Sequence, residues 1–479
     1  MGQLEECGCG PAGAPFWRTL ADKREFVALV DVAKNREWTY RALAICVEDA
    51  AGALASTRRG VMFLFGENDL GGIVAYLGGL LAGHVVYLMS LRILHPSVGD
   101  FLERYKPELV LTRSKEAGAA LGPQYTQVPG VLDYCCYIRK CQDAPALHPD
   151  LALLMSTSAS TGNPKAVRIS RRALATSACQ VIAALSITSE DQVVTSLPFT
   201  HIYGLSVVNS HLAAGASLVI QKRSVADPAF WSERATFPWT TFAGVTRTYE
   251  LMRERSVTAD TLLGVRKLLH SGDHMPPEVF SWLYSAFAGT GANIFLMYGQ
   301  TEATGRITVL PPDLLPECSA SVGRVVPDGE VSISSDREII YSGPNVMMGY
   351  ATCRDDLSRG DEVIGGLHTG DCGYLDSRGM LHITGRKGRT CKVFGERVSL
   401  EDIEIKLRDV CPSAVVGSNG MILVVFEGDE RAMRSRVLQL SRTFRLPPQA
   451  FLMRKVATLP RTETGKICYG EIEAGFGCA

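Results

Sequence analysis

Short apolar runs recur along the chain, with Ala-rich stretches of helical spacing between several of them. Residues 61–65, 109–112, 151–155, 193–197, 218–221, 294–298 and 339–341 predict strands, being brief and rich in β-branched, aliphatic or aromatic side chains. Residues 170–185 and 276–288 predict helices between strands. Strands alternating with helices at this spacing imply crossover units, hence mainly parallel sheets covered by helices and an α/β fold. No repeat and no low-complexity tract interrupts the pattern.

Residues 72–91 (GIVAYLGGLLAGHVVYLMSL) are apolar over about the length of a membrane span. Several glycines and His84 lie inside the run. Read locally, it divides at Gly83 into a helix ending at Leu81 and a strand over 85–89, with Gly83 as a left-handed helix stop. A buried helix–strand unit is therefore expected, and no membrane span.

The 479 residues amount to about three times a ~150-residue domain, so more than one core is expected. Hydrophobic residues make up 46% and charged residues 21%, as in an ordinary globular protein. The formal net charge of −1 argues against nucleic-acid binding. It is unevenly spread: residues 386–479 carry +5 and residues 1–385 carry −6. A small basic unit after a larger acidic one suggests a separate domain facing an anionic ligand. The 14 cysteines are scattered without a C-x-x-C pair, so zinc is not expected. Reduced thiols and a cytoplasmic location fit that scatter, and the acidic start, with Glu5 and Glu6, predicts no signal peptide.

Four segments carry candidate chemistry, after one false lead. Gly8-Cys9-Gly10-Pro11-Ala12-Gly13 matches the dinucleotide pattern G-x-G-x-x-G, but no strand precedes it and Pro11 disturbs the turn. Thr157-Ser158-Ala159-Ser160-Thr161-Gly162-Asn163-Pro164-Lys165-Ala166 follows the apolar run 151–155. Its hydroxyls and Gly162 can wrap donors around phosphate oxygens, with Lys165 as the counter-charge. Tyr298-Gly299-Gln300-Thr301-Glu302 ends the run 294–297 and gathers an aromatic ring, a hydroxyl and a carboxylate where α/β ligands bind. The ring suits a base, Thr301 a phosphate and Glu302 Mg²⁺. His368-Thr369-Gly370-Asp371 precedes the cations Arg386, Lys387, Arg389, Lys392 and Arg397, a setting for a ribose diol beside phosphates. Lys466 ends the turn Pro460-Arg461-Thr462-Glu463-Thr464-Gly465.

In this order the segments resemble the adenylate-forming superfamily of acyl-CoA synthetases, peptide-synthetase adenylation domains and firefly luciferases, over residues 35–475. Trp38-Thr39-Tyr40 resembles the early "(W/F)-T-Y" element, and residues 157–166 resemble the "TSGTTGxPKG" phosphate loop. Leu197-Pro198-Phe199 with His201 and Gly204 resembles the acyl-site segment "LPxxHxxG". Residues 298–302 match "YGxTE", residues 343–350 resemble "GPxVMxGY", and Thr369-Gly370-Asp371 matches "TGD". Residues 386–404 resemble "GRxxxxxKxxGxRVxxxxIE", and Lys466 occupies the lysine of "PxTxxGK".

The resemblance implies a large N-terminal domain of stacked α/β subdomains (1–385) and a small, mobile α+β C-terminal lid (386–479), hinged just after Arg386. It implies an acid–thiol ligase using ATP and Mg²⁺: a carboxylate attacks the α-phosphorus to give acyl-AMP and pyrophosphate, and CoA or a carrier protein's phosphopantetheine then displaces AMP. Lys466 would bridge carboxylate and phosphate. Thr157, Ser158, Ser160, Thr161, Gly162 and Lys165 would hold the pyrophosphate, with Mg²⁺ on Glu302. Thr301 would bond the α-phosphate, Tyr298 and Gly299 would meet adenine with Gly272 behind, and Asp371 and Arg386 would grip the ribose. Lys392 would enter for the second step. An amine acceptor, a non-catalytic scaffold and a luciferase-type oxygenase are the alternatives.

Departures from the pattern are Ala159 and Ala166 in place of glycine, and Gly388 at the hinge position. The acyl-site segment lacks the Asp that pairs an α-amino group: Phe199 is followed by Thr200, His201, Ile202 and Tyr203. A neutral, largely apolar acid is expected rather than an α-amino acid. His201 is expected either to close the acyl pocket or to position the carboxylate, with a hydrogen-bonded structural histidine as the alternative; the other pocket walls are expected from residues 242–249 and 271–275.

Overall fold

The computed structural model describes residues 14–475, apart from 24, 56–57, 91–97, 142–144, 157–164, 288, 316, 388, 394–395, 419–420, 445, 463–464 and 466. The fold is α/β, and the chain divides into two compact units.

The larger unit takes in residues 1–157, 165–330 and 341–367 and contains two broad sheets. One has nine strands, in the order Arg324–Val325, Thr308–Leu310, Asn293–Tyr298, Lys267–His270, Thr241–Gly244, Gln192–Val194, Ser217–Ile220, Val27–Asp31 and Arg36–Thr39. Its strands from Asn293–Tyr298 to Val27–Asp31 run parallel, with antiparallel strands at both edges. The other has eight, in the order Gly349–Ala351, Ala166–Ser170, Leu151–Ser156, Val85–Met89, Val61–Phe65, Leu109–Thr112, Tyr134–Arg139 and Tyr125–Val131. Its four central strands are parallel. Side chains of Val61–Phe65 and Val85–Met89 are buried on both faces, which is why these strands are continuous apolar runs instead of alternating ones.

The long apolar stretch resolves as its glycines imply. Asp69 caps the helix Leu70–Leu81 through the Gly72 N–H. Gly83 ends it at φ +86°, and the chain turns straight into strand Val85–Met89. Among the described residues no helix is long and apolar enough to cross a membrane. The run 193–197 forms a shorter strand than expected, Gln192–Val194. The Asn68 amide donates to the carbonyls of Thr195 and Leu197, drawing the backbone out of the ladder.

The smaller unit, mainly residues 331–340 and 368–479, holds the strand pair Leu367–Leu375 and Leu381–Arg386 and a three-stranded sheet, Ser413–Ser418, Met421–Phe426 and Phe451–Lys455. Helices Leu400–Leu407 and Glu430–Thr443 supply Ile403, Leu407, Met433 and Val437 to a core shared with Val415, Val424 and Phe426. Glu404 is buried there, and Arg389, Tyr469 and the Val415 N–H all donate to its carboxylate. Paired and hydrogen-bonded on both oxygens, this charge is a structural anchor.

Ten described cysteines are free thiols. Cys179, on helix Arg171–Leu185, is disulfide-bonded, so the expectation of uniformly reduced thiols does not hold there.

Candidate active site

In the larger unit, strand Asn293–Tyr298 delivers Tyr298, Gly299, Thr301 and Glu302 at its carboxyl end. After it the chain makes a 3-10 turn, Thr301–Ala303, and a left-handed step at Thr304 (φ +48°) and Gly305 (φ +94°). Asn345, fully buried, holds this turn. Its amide donates to the carbonyls of Ala303 and Arg306 at 2.8 Å each, its carbonyl accepts from the Tyr341 hydroxyl, and its own backbone carbonyl accepts from the Thr304 hydroxyl. Gly299 is required by contact: a Cβ there would lie 2.3 Å from the Gly305 carbonyl oxygen.

The turn brings Glu302 to Tyr350, whose hydroxyl donates to Glu302 Oε1 at 2.8 Å. Tyr350 lies on the edge strand Gly349–Ala351, paired antiparallel with Ala166–Ser170 in the register Tyr350↔Val167. That register puts Tyr350 beside Lys165, whose Nζ lies 5.4 Å from the ring centroid. Burial and then the neighbouring Glu302 carboxylate push the Tyr350 phenol above its ordinary pKa, so it stays a donor. Lys165, Tyr350 and Glu302 form one cluster of an exposed ammonium, a phenol and a half-buried carboxylate. Glu302 Oε2 has no partner among the described residues.

His201 stands at the N-cap of helix Ile202–Ala214 without a side-chain capping bond. Gly272 adopts φ +106°, a conformation that favours glycine, next to Val245. Thr157, Ser158, Ser160, Thr161 and Gly162 lie outside the described residues, so Lys165 is the phosphate loop's one described candidate.

In the smaller unit, Asp371 and Arg386 face each other across the strand pair and form an ion pair, Arg386 Nε to Asp371 Oδ1, at 2.9 Å. The preceding turn is anchored by buried Glu338, which accepts from the Gly370 N–H, His368 and Lys387. Burial raises the Glu338 pKa, but those donors outweigh it and hold it below the usual carboxylate range. Lys392 belongs to strand Thr390–Val393, its side chain outside the described residues. The turn before Lys466 is closed by the Gly465 N–H donating to Thr462 and by Arg461 donating to the Gly465 carbonyl. Lys466 and Gly388 lie outside the described residues.

Sequence reading alone did not single out Tyr350, Asn345 or Arg306. Tyr350 and Asn345 sit in the segment resembling "GPxVMxGY", a signal that was there to follow. Arg306 follows the "YGxTE" segment with no motif of its own.

Residues 16–351 match the AMP-binding enzyme family. The chain is 28% identical to oxalate–CoA ligase of Arabidopsis thaliana, over 67% of this chain and 66% of that protein. It spans 92% of the indoleacetate–CoA ligase of Aromatoleum aromaticum, at 27% identity over 90% of its own length. Its fold is similar to that of o-succinylbenzoate CoA synthetase from Bacillus subtilis in complex with an acyl-adenylate, with a TM-score of 0.76, 22% identity, and 96% of this chain and 98% of the other covered.

Proposed function

The chain belongs to the AMP-binding enzyme family, and on that premise we propose that it is an ATP-dependent ligase joining a small carboxylic acid to a thiol through an acyl-adenylate. The relatives named above for oxalate, indoleacetate and o-succinylbenzoate support the reaction class and CoA as acceptor. The observation that carries the reading is the Lys165–Tyr350–Glu302 cluster, an ammonium and an oriented carboxylate assembled from three separate chain segments.

Among the described residues no group of three or more His, Cys, Asp or Glu could hold a metal. Glu302 fits Mg²⁺ nonetheless, because that ion takes one or two protein carboxylates and fills its shell with phosphate oxygens and water. Bound there, Mg²⁺ would neutralise charge on the triphosphate.

In the first step a carboxylate oxygen bonds to the α-phosphorus as the bond to the pyrophosphate oxygen breaks. Negative charge accumulates, so cations and donors fixed in advance lower the barrier. Thr301 donates to the α-phosphate, Lys466 bridges it to the acid, and Lys165 with Thr157, Ser158, Ser160, Thr161 and Gly162 holds the departing pyrophosphate. Tyr298 and Gly299 meet adenine, with Gly272 as the wall behind it, and Asp371 and Arg386 hold the ribose. His201 closes the acyl pocket. In the second step the thiol loses its proton, sulfur bonds to the acyl carbon and AMP leaves. Residues 386–479 act as a lid, with Lys466 withdrawing and Lys392 entering. A carrier-protein phosphopantetheine is the alternative acceptor, and the cytoplasm, where the ten free thiols among the described residues would stay reduced, is the proposed location.

The test is pyrophosphate release with Mg·ATP across aliphatic, aryl and amino acids, with CoA, hydroxylamine or no acceptor. Acid-dependent release that rises with CoA is expected, and Lys466→Ala should abolish it while ATP still binds. Full-rate release by Lys466→Ala would remove the lysine from its role, and silence across the panel with ATP bound would favour a scaffold.

A further inference from the structure

Arg306 is among the largest fully buried side chains of the described residues, 1% exposed, yet it has no carboxylate partner among them. Its Nη1 donates to the Ser271 hydroxyl at 3.0 Å, its guanidinium lies 5.2 Å from the Tyr203 ring centroid, and its Nε is buried without an acceptor. The other buried arginines of this unit differ: Arg354 pairs with Glu108, and Arg168 with Glu362 and several carbonyls. Asp273, two positions past Ser271, has its Oδ1 engaged by Thr246 and His270.

A buried guanidinium loses several kcal/mol of hydration. One neutral hydroxyl and one aromatic face return only part of that, the cation–π contact being worth about 2 kcal/mol when desolvated. Such a charge is retained at a cost to stability, and its surroundings indicate why. Tyr203 stands two positions after His201 in the acyl-site segment, and Ser271 begins the segment 271–275 that is expected to form a wall of the acid pocket. The acid-binding segment also lacks a carboxylate after Phe199, so nothing in it cancels the charge.

We propose that Arg306, held by Ser271 and Tyr203, binds a second anionic group on the acid, so that the preferred substrate is a dianionic acid with one carboxylate adenylated and the other on the guanidinium. This rests on the ligase reading and departs from the neutral, largely apolar acid suggested by the missing Asp. The reacting carboxylate is already assigned its own cation, Lys466, whereas Arg306 is held by Ser271 and Tyr203, from two segments expected around the acid.

The test is equilibrium binding, by calorimetry on the full chain with Mg²⁺ and a non-hydrolysable ATP analogue. Diacids from malonate to suberate are compared with monoacids from propionate to octanoate, alongside pyrophosphate release with ATP. The wild-type protein should bind its best diacid roughly ten- to a hundredfold more tightly than the matched monoacid, the range of a hydrogen bond to a charged group. Arg306→Met should erase that preference with the ATP analogue still bound, and Arg306→Lys should keep part of it. Equal binding of diacids and monoacids by the wild type, which needs no variant to fold, would overturn the proposal. So would a preference that survives in Arg306→Met, or an equal loss for diacids and monoacids, which would put Arg306 on the reacting carboxylate. An Arg306-dependent preference without pyrophosphate release from any acid would sink the ligase reading and leave the anion subsite standing.

Discussion

Replacing Gly299 by alanine tests whether the close backbone packing behind Thr301 and Glu302 matters to the chemistry. The added Cβ would lie 2.3 Å from the Gly305 oxygen, 2.7 Å from its carbonyl carbon and 2.8 Å from Arg306 Cα, where ordinary contact begins at 3.4 Å. All three neighbours are backbone or Cα atoms, so no side chain can swing away. The two segments must part by about 1 Å, and overpacking of this kind costs roughly 1–3 kcal/mol. The same displacement moves Thr301 and Glu302, and a shift of about 1 Å in a positioning group can cost on the order of a hundredfold in rate. We expect kcat/KM for acid-dependent pyrophosphate release to fall about a hundredfold, with Tm lower by a few degrees. Gly52→Ala is the control: that helical glycine has open space at its Cβ, so the change should raise stability by about 0.5–1 kcal/mol and leave the rate alone. A Gly299→Ala protein with wild-type rate and wild-type Tm would show that this close packing does not position Thr301 and Glu302.

Tyr350→Phe removes the donor to Glu302 Oε1 while keeping the ring beside Lys165. Steady-state kinetics should show KM for Mg·ATP raised roughly 3- to 10-fold, about one hydrogen bond's worth, with little change in Tm because the phenol is partly exposed. Asn345→Ala leaves the carbonyls of Ala303 and Arg306 without their side-chain donor, and thermal melts should show a loss of about 2–4 kcal/mol. His211 is fully buried, donates from Nδ1 to the Val207 carbonyl, and has its pKa lowered by burial to about 4. Protons then bind the unfolded imidazole before the folded one, so stability falls as pH drops from about 6.5 to about 4, by up to about 3 kcal/mol. Denaturant melts across that range should show the slope, and His211→Gln should flatten it.

Strands buried on both faces were legible because their apolar runs are continuous, and residues 61–65 and 109–112 form the expected elements. The helix stop at Gly83 was legible because a left-handed residue leaves a glycine in the sequence. The strand end at Val194 was not, since Asn68, far away in the chain, takes the carbonyls that would have continued it. The site divides in the same way. Thr301 and Glu302 stand together in one local motif, whereas Tyr350, although it ends the segment 343–350, reaches Lys165 and Glu302 only through an antiparallel pairing of strands far apart in the chain. Arg306 reads in the sequence as one more surface arginine, and only its burial and its missing counter-ion set it apart.

In the proposed reaction the acid's own oxygen attacks the α-phosphorus. The most direct measurement uses an acid labelled with heavy oxygen in its carboxylate, incubated with Mg·ATP and CoA, followed by mass spectrometry of the products. Attack by the acid's oxygen leaves label in AMP and none in pyrophosphate. Unlabelled AMP beside an acid-dependent product, or label in inorganic phosphate, would contradict it.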